Sequence, residues 1–337
     1  MNRFLRSFTV AALAGTMAFA GCNKDATPAA GEAAKGDNKA GAAAGPAKAA
    51  EAPAAATADA AIMGVMTGMT KGDPAPLWAF LPGSYQADVT ALVHDFGGKL
   101  DAELYDKGFA VLGKAINVLK TKKDFILKSP IMAQAMQNPM LPPEAFQKNW
   151  DAVVEMLGTI ATSELAKAAS LKTLDVGAFV AGTGKKVMGQ GLAIAKAMGQ
   201  DPTAVLGAFK AEMVKTEGDK ATLKLSAPGG GEGKMEEFVK VEGKWIPADM
   251  AADWKKALGE LKGQLDAVPA QMTEAKPMAM AMLAQVEGTL DKLAAAGSQA
   301  EFDAAVMGAM AAMGGPGGAP GGAMQGDAPP VMPGARR

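Results

Sequence analysis

The chain has a single cysteine and a single histidine among its 337 residues, and this scarcity limits the chemistry that it can carry. One thiol cannot form an internal disulfide, and zinc sites built from several cysteines and histidines are excluded. A serine triad would have to use His94, which stands on a predicted helix, and the sequence has no nucleophile-elbow motif. We therefore expect no metal, no cofactor and a non-enzymatic role.

The chain also has almost no excess of either charge and few aromatic residues. The formal net charge is -1, so there is no basic excess of the kind that neutralises phosphates, and we expect no nucleic-acid partner. Aromatic residues make up 5% of the chain, whereas glycine and methionine occur 41 and 23 times. This composition favours a helical body filled by small and flexible side chains.

The N-terminal apolar segment is too short for a permanent membrane span, which needs about 20 apolar residues. Arg3 and Arg6 precede a mostly apolar run from Phe8 to Phe19. A positive start followed by a short apolar run is typical of a signal peptide.

The residues after this run, Phe19-Ala20-Gly21-Cys22, resemble the lipobox of bacterial lipoproteins. The resemblance implies cleavage between Gly21 and Cys22, diacylglycerol on the Cys22 sulfur and acylation of the new amino terminus. It also implies, because Asn23 rather than aspartate follows, a place on the outer membrane facing the periplasm. Each buried methylene contributes about 0.8 kcal/mol, so two or three acyl chains hold a protein on a membrane stably.

Composition divides the chain into four parts. Residues 1–21 are the predicted signal peptide, and residues 22–57, rich in Ala, Gly, Pro and Lys, are a predicted disordered tether. Residues 58–313 are the predicted folded body. Residues 314–337, rich in Gly, Pro and Met, are a predicted disordered tail.

Helical spacing of apolar residues recurs through most of the body. It predicts helices over 85–100, over 104–119 with Asp101 as cap, from Pro143 to 165, over 174–198, after Asp201-Pro202, over 250–265, from Pro277 to 293, and over 302–310 after a Ser298/Glu301 capping box. The run Gly182-Thr183-Gly184-Lys185-Lys186 fails the spacing of a phosphate loop and predicts a helix break.

Residues 209–216, 221–226, 235–241 and 244–246 alternate between apolar and polar side chains and are separated by turn residues. They predict a three- to four-stranded antiparallel β-meander near residues 209–247. The fold class is therefore α+β and predominantly helical.

The strand sequences Ala221-Thr-Leu-Lys-Leu and Phe238-Val-Lys-Val-Glu-Gly-Lys-Trp-Ile-Pro are similar to the closing strands of NTF2-like domains in secreted bacterial lipoproteins. The resemblance implies a sheet that curls around a pocket for a small molecule or a partner. Leu223, Phe238 and Trp245 are the candidate pocket residues.

Met278, Met280 and Met282 resemble thioether motifs that bind Cu(I). On a helix only Met278 and Met282 share a face, and methionine as core filler is the simpler interpretation. The carboxylates Asp88, Asp95, Asp101 and Glu103 lie close together in sequence, where they suit either acid–base chemistry or a solvent-exposed helix face.

These observations favour a lipid-anchored envelope protein with a non-enzymatic binding or structural role. Its predicted partners are the membrane, through Cys22, and either an envelope protein or a small molecule. A module that binds a small apolar molecule or Cu(I) is the alternative, and an enzyme that uses carboxylates alone is a third.

Overall fold

The structure, a computed structural model, describes residues 55–312 apart from 131, 133–142 and 228–231. The predicted signal peptide, nearly all of the predicted tether and the predicted tail lie outside the described residues. All described residues belong to a single unit of the chain.

Helices occupy most of the described chain, which confirms the predicted fold class. In chain order they are α1 (Ala58–Thr70), α2 (Ala75–Phe80), α3 (Gly83–Lys99), α4 (Ala102–Thr121), α5 (Lys123–Lys128), α6 (Pro143–Ala161), α7 (Ala168–Leu171), α8 (Val176–Phe179), α9 (Lys185–Ala197), α10 (Pro202–Gly207), α11 (Ala248–Ala295) and α12 (Gln299–Ala312). A 3-10 turn (Glu164–Ala166) follows α6.

Several helix starts are capped as the sequence predicts. The Asp101 side chain accepts from the Leu104 N–H at 2.9 Å and begins α4, and Asp201 accepts from Thr203 and Ala204 at the start of α10. Before α12, the Ser298 hydroxyl accepts from the Glu301 N–H. The Glu301 carboxylate in turn accepts from the Gly297 N–H, one residue before the position that a capping box would use.

Two predicted helix boundaries are wrong. The sequence predicts that a helix begins at Pro277, but Pro269 and Pro277 both lie inside the 48-residue helix α11. It also predicts a helix break at the glycines 182 and 184, but they lie in a π-turn (Val180–Gly184) that joins α8 directly to α9. Both boundaries are predicted from the local conformational preference of proline or glycine. In the fold, packing of the residues on either side maintains the helix through these positions.

The predicted β-meander is confirmed. Strands β1 (Lys210–Glu217), β2 (Lys220–Ser226), β3 (Lys234–Val241) and β4 (Lys244–Pro247) form one antiparallel sheet in the order β1-β2-β3-β4. A bulge at Val214 shifts the register between β1 and β2. Glu242 and Gly243, both with positive φ, make the tight turn between β3 and β4.

Each face of the sheet packs against helices. On one face, α1 contacts β1, β2 and β4, and its buried residues Ala58, Ile62, Val65 and Met69 follow a helical period. On the other face, Ile246 joins a buried cluster with Tyr85 of α3 and Trp254 of α11. The sheet is therefore the layer between α1 and the pair of helices α3 and α11.

Helix α11 is about 70 Å long at 1.5 Å per residue, and it packs along α3 and α4. After Ala295 a short connection leads into α12, which docks through the buried Phe302 against Val118 of α4. The two helices therefore run side by side at this end of the molecule.

Candidate functional site

The predicted lipidation and cleavage residues, Cys22 and Gly21, lie outside the described residues, so they stay predictions. Among the described helices, none combines the length and the apolar character needed to cross a membrane.

The candidate pocket residues of the sheet lie on one face. Paired residues, and residues two apart on one strand, share a face of the sheet. Phe238 is paired with Ala221, and Leu223 lies two residues after Ala221. Trp245 is paired with Lys240, which lies two residues after Phe238. All three candidate side chains are buried. The Trp245 indole N–H donates to the Ala56 carbonyl oxygen at 3.4 Å, and the Lys240 ammonium lies 5.2 Å from the centre of the indole ring. Whether this face encloses a ligand stays a prediction.

His94 has a structural contact. Its Nε2 lies 3.0 Å from the Leu174 carbonyl oxygen, and because a carbonyl only accepts, this nitrogen carries the proton. The bond ties α3 to the segment that precedes α8.

The four carboxylates that the sequence places near one another have structural partners too. Asp88 accepts from the Trp254 indole N–H at 2.9 Å, and Asp95 pairs with Lys99. Asp101 and Glu103 share Lys276, each at 2.8 Å. Lys276 and the Leu104 N–H together hold the pKa of Asp101 below its usual range. The contacts of Asp88, Asp101 and Glu103 join α3 and α4 to α11. Asp95 pairs with Lys99 within α3, and Lys99 in turn pairs with Asp266 of α11.

The contacts of Asp101 and Glu103 belong to a series of ion pairs along α11. The pairs to α3 and α4 are Lys99–Asp266, Lys276–Asp101, Lys276–Glu103, Lys107–Glu287, Lys114–Glu287 and Lys114–Asp291. Lys107 and Lys114 lower the pKa of Glu287 to about 2. Single exposed ion pairs contribute little, but these three groups of pairs act at three levels of α11 and together favour one orientation of the helix about its own axis.

This orientation leaves a row of apolar side chains of α11 facing solvent. Met278, Met282 and Val286, spaced by one helical turn, are 71%, 57% and 40% exposed. We call these three residues the apolar ridge. Monomeric proteins seldom expose large apolar side chains side by side, so the ridge is a candidate binding surface.

A groove lies between α11 and α12, with a volume of about 680 Å³. We call it the α11–α12 groove. Most of its lining is small: Ala284 and Gly288 from α11, and Ala304, Ala305, Gly308 and Ala309 from α12. Lys292 and Glu301 bring one charge of each sign to the lining. Met307 of α12, 60% exposed, is one residue from Gly308.

Two glycines of the groove pack closely against no other part of the described chain. A Cβ added at Gly288 or Gly308 would meet no atom within 4 Å, outside the helix's own backbone. Glycine in the middle of a helix costs about 0.5–1 kcal/mol relative to alanine. By contrast, Gly97 of α3 lets Leu171 approach closely, because a Cβ there would lie 2.7 Å from the Leu171 Cβ.

Sequence reasoning missed the groove, although a signal for it was present. Residues 277–286 and 304–312 contain no charged side chain. A helix that is apolar on all sides is normally buried on all sides, whereas the residues of 277–286 and 304–311 are exposed or at most partly buried. The two charge-free runs could have indicated an unpartnered surface, but their position side by side comes from the packing of α12.

The candidate metal ligands Met278 and Met282 lie on the apolar ridge, one turn apart, so their two sulfurs can approach each other. The described part of the chain contains no group of three or more His, Cys, Asp or Glu side chains placed to hold a metal ion. The proposed Cu(I) site therefore depends on thioethers alone and stays a prediction.

A second, smaller cleft of about 360 Å³ lies between α4, α6 and α9. Lys120 and Lys186 line it together with Glu155, Thr159 and Thr162. Both threonine hydroxyls donate to carbonyl oxygens of their own helix, and Glu155 offsets part of the positive charge. The cleft is thus a mixed-charge depression above a helix–helix contact.

Comparisons of the chain with protein-family models, with curated proteins and with solved structures found no match. The resemblances to lipoproteins and to NTF2-like domains therefore stay predictions from the sequence.

Proposed function

We propose that this chain is a lipid-anchored protein of the cell envelope that binds another protein through α11 and α12 and has no catalytic role. The observation that carries the proposal is the exposed apolar ridge beside the α11–α12 groove, on a helix that ion pairs hold in a fixed orientation. Rigid surfaces lose little conformational entropy on binding, which favours recognition.

The anchor in this proposal is the lipid on Cys22, the only cysteine of the chain. A flexible tether of the predicted composition and length reaches roughly 30 to 35 Å, enough to hold the body clear of the lipid surface. The proposed place is the outer membrane on its periplasmic side. The absence of a catalytic role is part of the proposal, supported by the structural partners of His94 and of the carboxylates.

Fractionation of cells that express the wild type or the Cys22→Ser variant tests the anchor. We expect the wild type to stay with membranes through washes in high salt and alkaline carbonate and to leave them only in detergent. The Cys22→Ser variant, which lacks the thiol that receives the lipid, should not show this dependence on detergent for release from membranes. Release of the wild type by salt alone would contradict the anchor.

Photo-crosslinking in living cells tests the binding surface. A photoreactive residue at Val286, on the apolar ridge, should give discrete adducts of higher mass. The same residue at Ala252, exposed at the start of α11 and away from the ridge, is the matched control. Equal adducts from both positions, or none from Val286, would contradict binding through α11 and α12.

One observation favours a second candidate function, the binding of Cu(I). The thioethers of Met278 and Met282 are exposed and one turn apart, and soft sulfur ligands prefer Cu(I). Titration of the protein with Cu(I) against a competing chelator would show one ion bound and a large loss of affinity in the Met278→Leu, Met282→Leu double variant. Unchanged binding in that variant would end this proposal.

A further inference from the structure

We propose that the partner of the α11–α12 surface is a second copy of this chain, so that the anchored protein forms a symmetric dimer. This inference rests on the proposed function, because it names the occupant of the same surface. It starts from the fact that a ridge and a groove lie side by side on one protomer.

The apolar ridge is a row of side chains spaced by four residues, which is the kind of row that packs into a groove on a neighbouring helix. Six of the ten residues that line the α11–α12 groove are alanine or glycine, which leaves room for side chains of the size of methionine. A two-fold axis between two copies would place each ridge in the other copy's groove.

The groove lining carries one positive side chain, Lys292, and one negative side chain, Glu301, and the ridge carries none. Two copies therefore meet without a net like-charge repulsion, and Lys292 of each can face Glu301 of the other. A strongly acidic or basic partner would find no excess of opposite charge here.

The surface from Met278 to Lys292 extends about 22 Å along α11 at 1.5 Å per residue. With the width of a helix pair, it buries roughly 400 Å² per copy, or roughly 800 Å² in total, which is less than a stable interface buries and is typical of transient contacts. Such an interface is weak in free solution. Tethering to one membrane raises the effective concentration of the copies and makes the association effective there.

A crosslinking experiment in membranes tests the dimer. Because Cys22 carries lipid in the proposed protein, a single introduced cysteine supplies the only reactive thiol. Membranes that contain the lipidated Ala304→Cys chain, treated with a short bismaleimide, should give a product of twice the chain mass. Ala252→Cys, exposed outside the surface, is the control and should stay monomeric.

Adding Met282→Lys to the Ala304→Cys chain should reduce the crosslinked fraction by about tenfold or more, because it places a charge in the apolar contact. Met282 is exposed in the protomer, so the fold should persist, which circular dichroism can verify. A double-mass product that survives Met282→Lys, or forms equally from Ala252→Cys, would overturn the dimer.

Other occupants give other results. A crosslink to a different protein would contradict a second copy as the occupant of the surface. A crosslinked dimer that forms only after removal of residues 314–337 would contradict it as well. The fractionation result separates this failure from failure of the anchor. Protein that is membrane-bound yet not crosslinked contradicts the dimer alone, whereas protein absent from membranes contradicts the anchor. In that case, light scattering of the concentrated full chain decides whether the dimer forms.

Discussion

The Glu242 carboxylate accepts a hydrogen bond from the backbone N–H of Ser84 at 3.0 Å, although the two residues are 158 positions apart. Glu242 lies in the turn between β3 and β4, and Ser84 lies in the first turn of α3. The contact therefore caps a helix from the sheet and fixes the position of one on the other. The Ser84 contact lowers the pKa of Glu242.

Replacing Glu242 by Gln tests this contact. A carboxyl whose pKa is lowered by folding stabilises the fold above its unfolded pKa, and this contribution disappears as pH falls through the folded pKa. Glu242→Gln should therefore lower the melting temperature at pH 7, with a difference from the wild type that shrinks toward pH 3. Thermal unfolding followed by circular dichroism at both pH values measures it, and a constant difference would contradict the electrostatic origin.

The two tyrosines of the chain, Tyr85 and Tyr105, should both titrate abnormally late. Burial is the main cause in each case: it raises the pKa of Tyr85, and it raises the pKa of Tyr105 to about 12. Absorbance of the folded protein near 295 nm should show little tyrosinate at pH 10, where free tyrosine is about half ionised.

A folded pKa raised above the unfolded value stabilises the fold below the unfolded pKa. This stability is lost as pH rises through the interval between the two values, here from about 10 toward 12. Denaturant unfolding should show a decline over this range. In Tyr105→Phe, which keeps the ring but removes the ionising group, the decline should be smaller.

Replacing two neighbouring glycines of α3 by alanine should change stability in opposite directions. A Cβ at Gly97 would lie 2.7 Å from the Leu171 Cβ, whereas a Cβ at Gly98 would meet nothing within 4 Å. Gly97→Ala should destabilise by about 1–3 kcal/mol through overpacking. Gly98→Ala should stabilise by about 0.5–1 kcal/mol through helix propensity. Urea unfolding measures both, and equal signs would contradict the close contact of α3 with α7.

Alanine substitutions on the two faces of β3 should differ in their effect on stability. Phe238 is buried on the face that α1 covers, so Phe238→Ala should cost about 3–5 kcal/mol. Met235 is exposed on the opposite face, and Met235→Ala should change stability by no more than about 0.5 kcal/mol. Similar losses of stability in both variants would show that the register of β3 is wrong.

Much of the fold could be predicted because the signals are local. The alternation of residues 221–226 and 235–241 predicts strands, and the Asp101 and Asp201 caps predict helix starts, since each depends on a few neighbouring residues. Pro277 shows the limit of such signals. A proline inside a helix costs about 3 kcal/mol in lost hydrogen bonding. Burial of Leu265 before Pro277 and the ion pairs of Glu287 after it hold α11 on either side, and neither is visible in the local sequence.

The candidate site could be predicted only in part. Met278 and Met282 stand out by composition, but their exposure depends on which side of α11 faces α4. The groove needs α12 to lie beside α11, and this follows from the burial of Phe302 against Val118. The contact between Glu242 and Ser84 depends likewise on the complete fold.

The intact mass of the mature protein extracted from membranes tests the account most directly. We expect a chain that begins at Cys22 and whose mass is increased by a diacylglycerol and one further acyl chain. A mature chain that begins at another residue, or that begins at Cys22 without lipid, would contradict it.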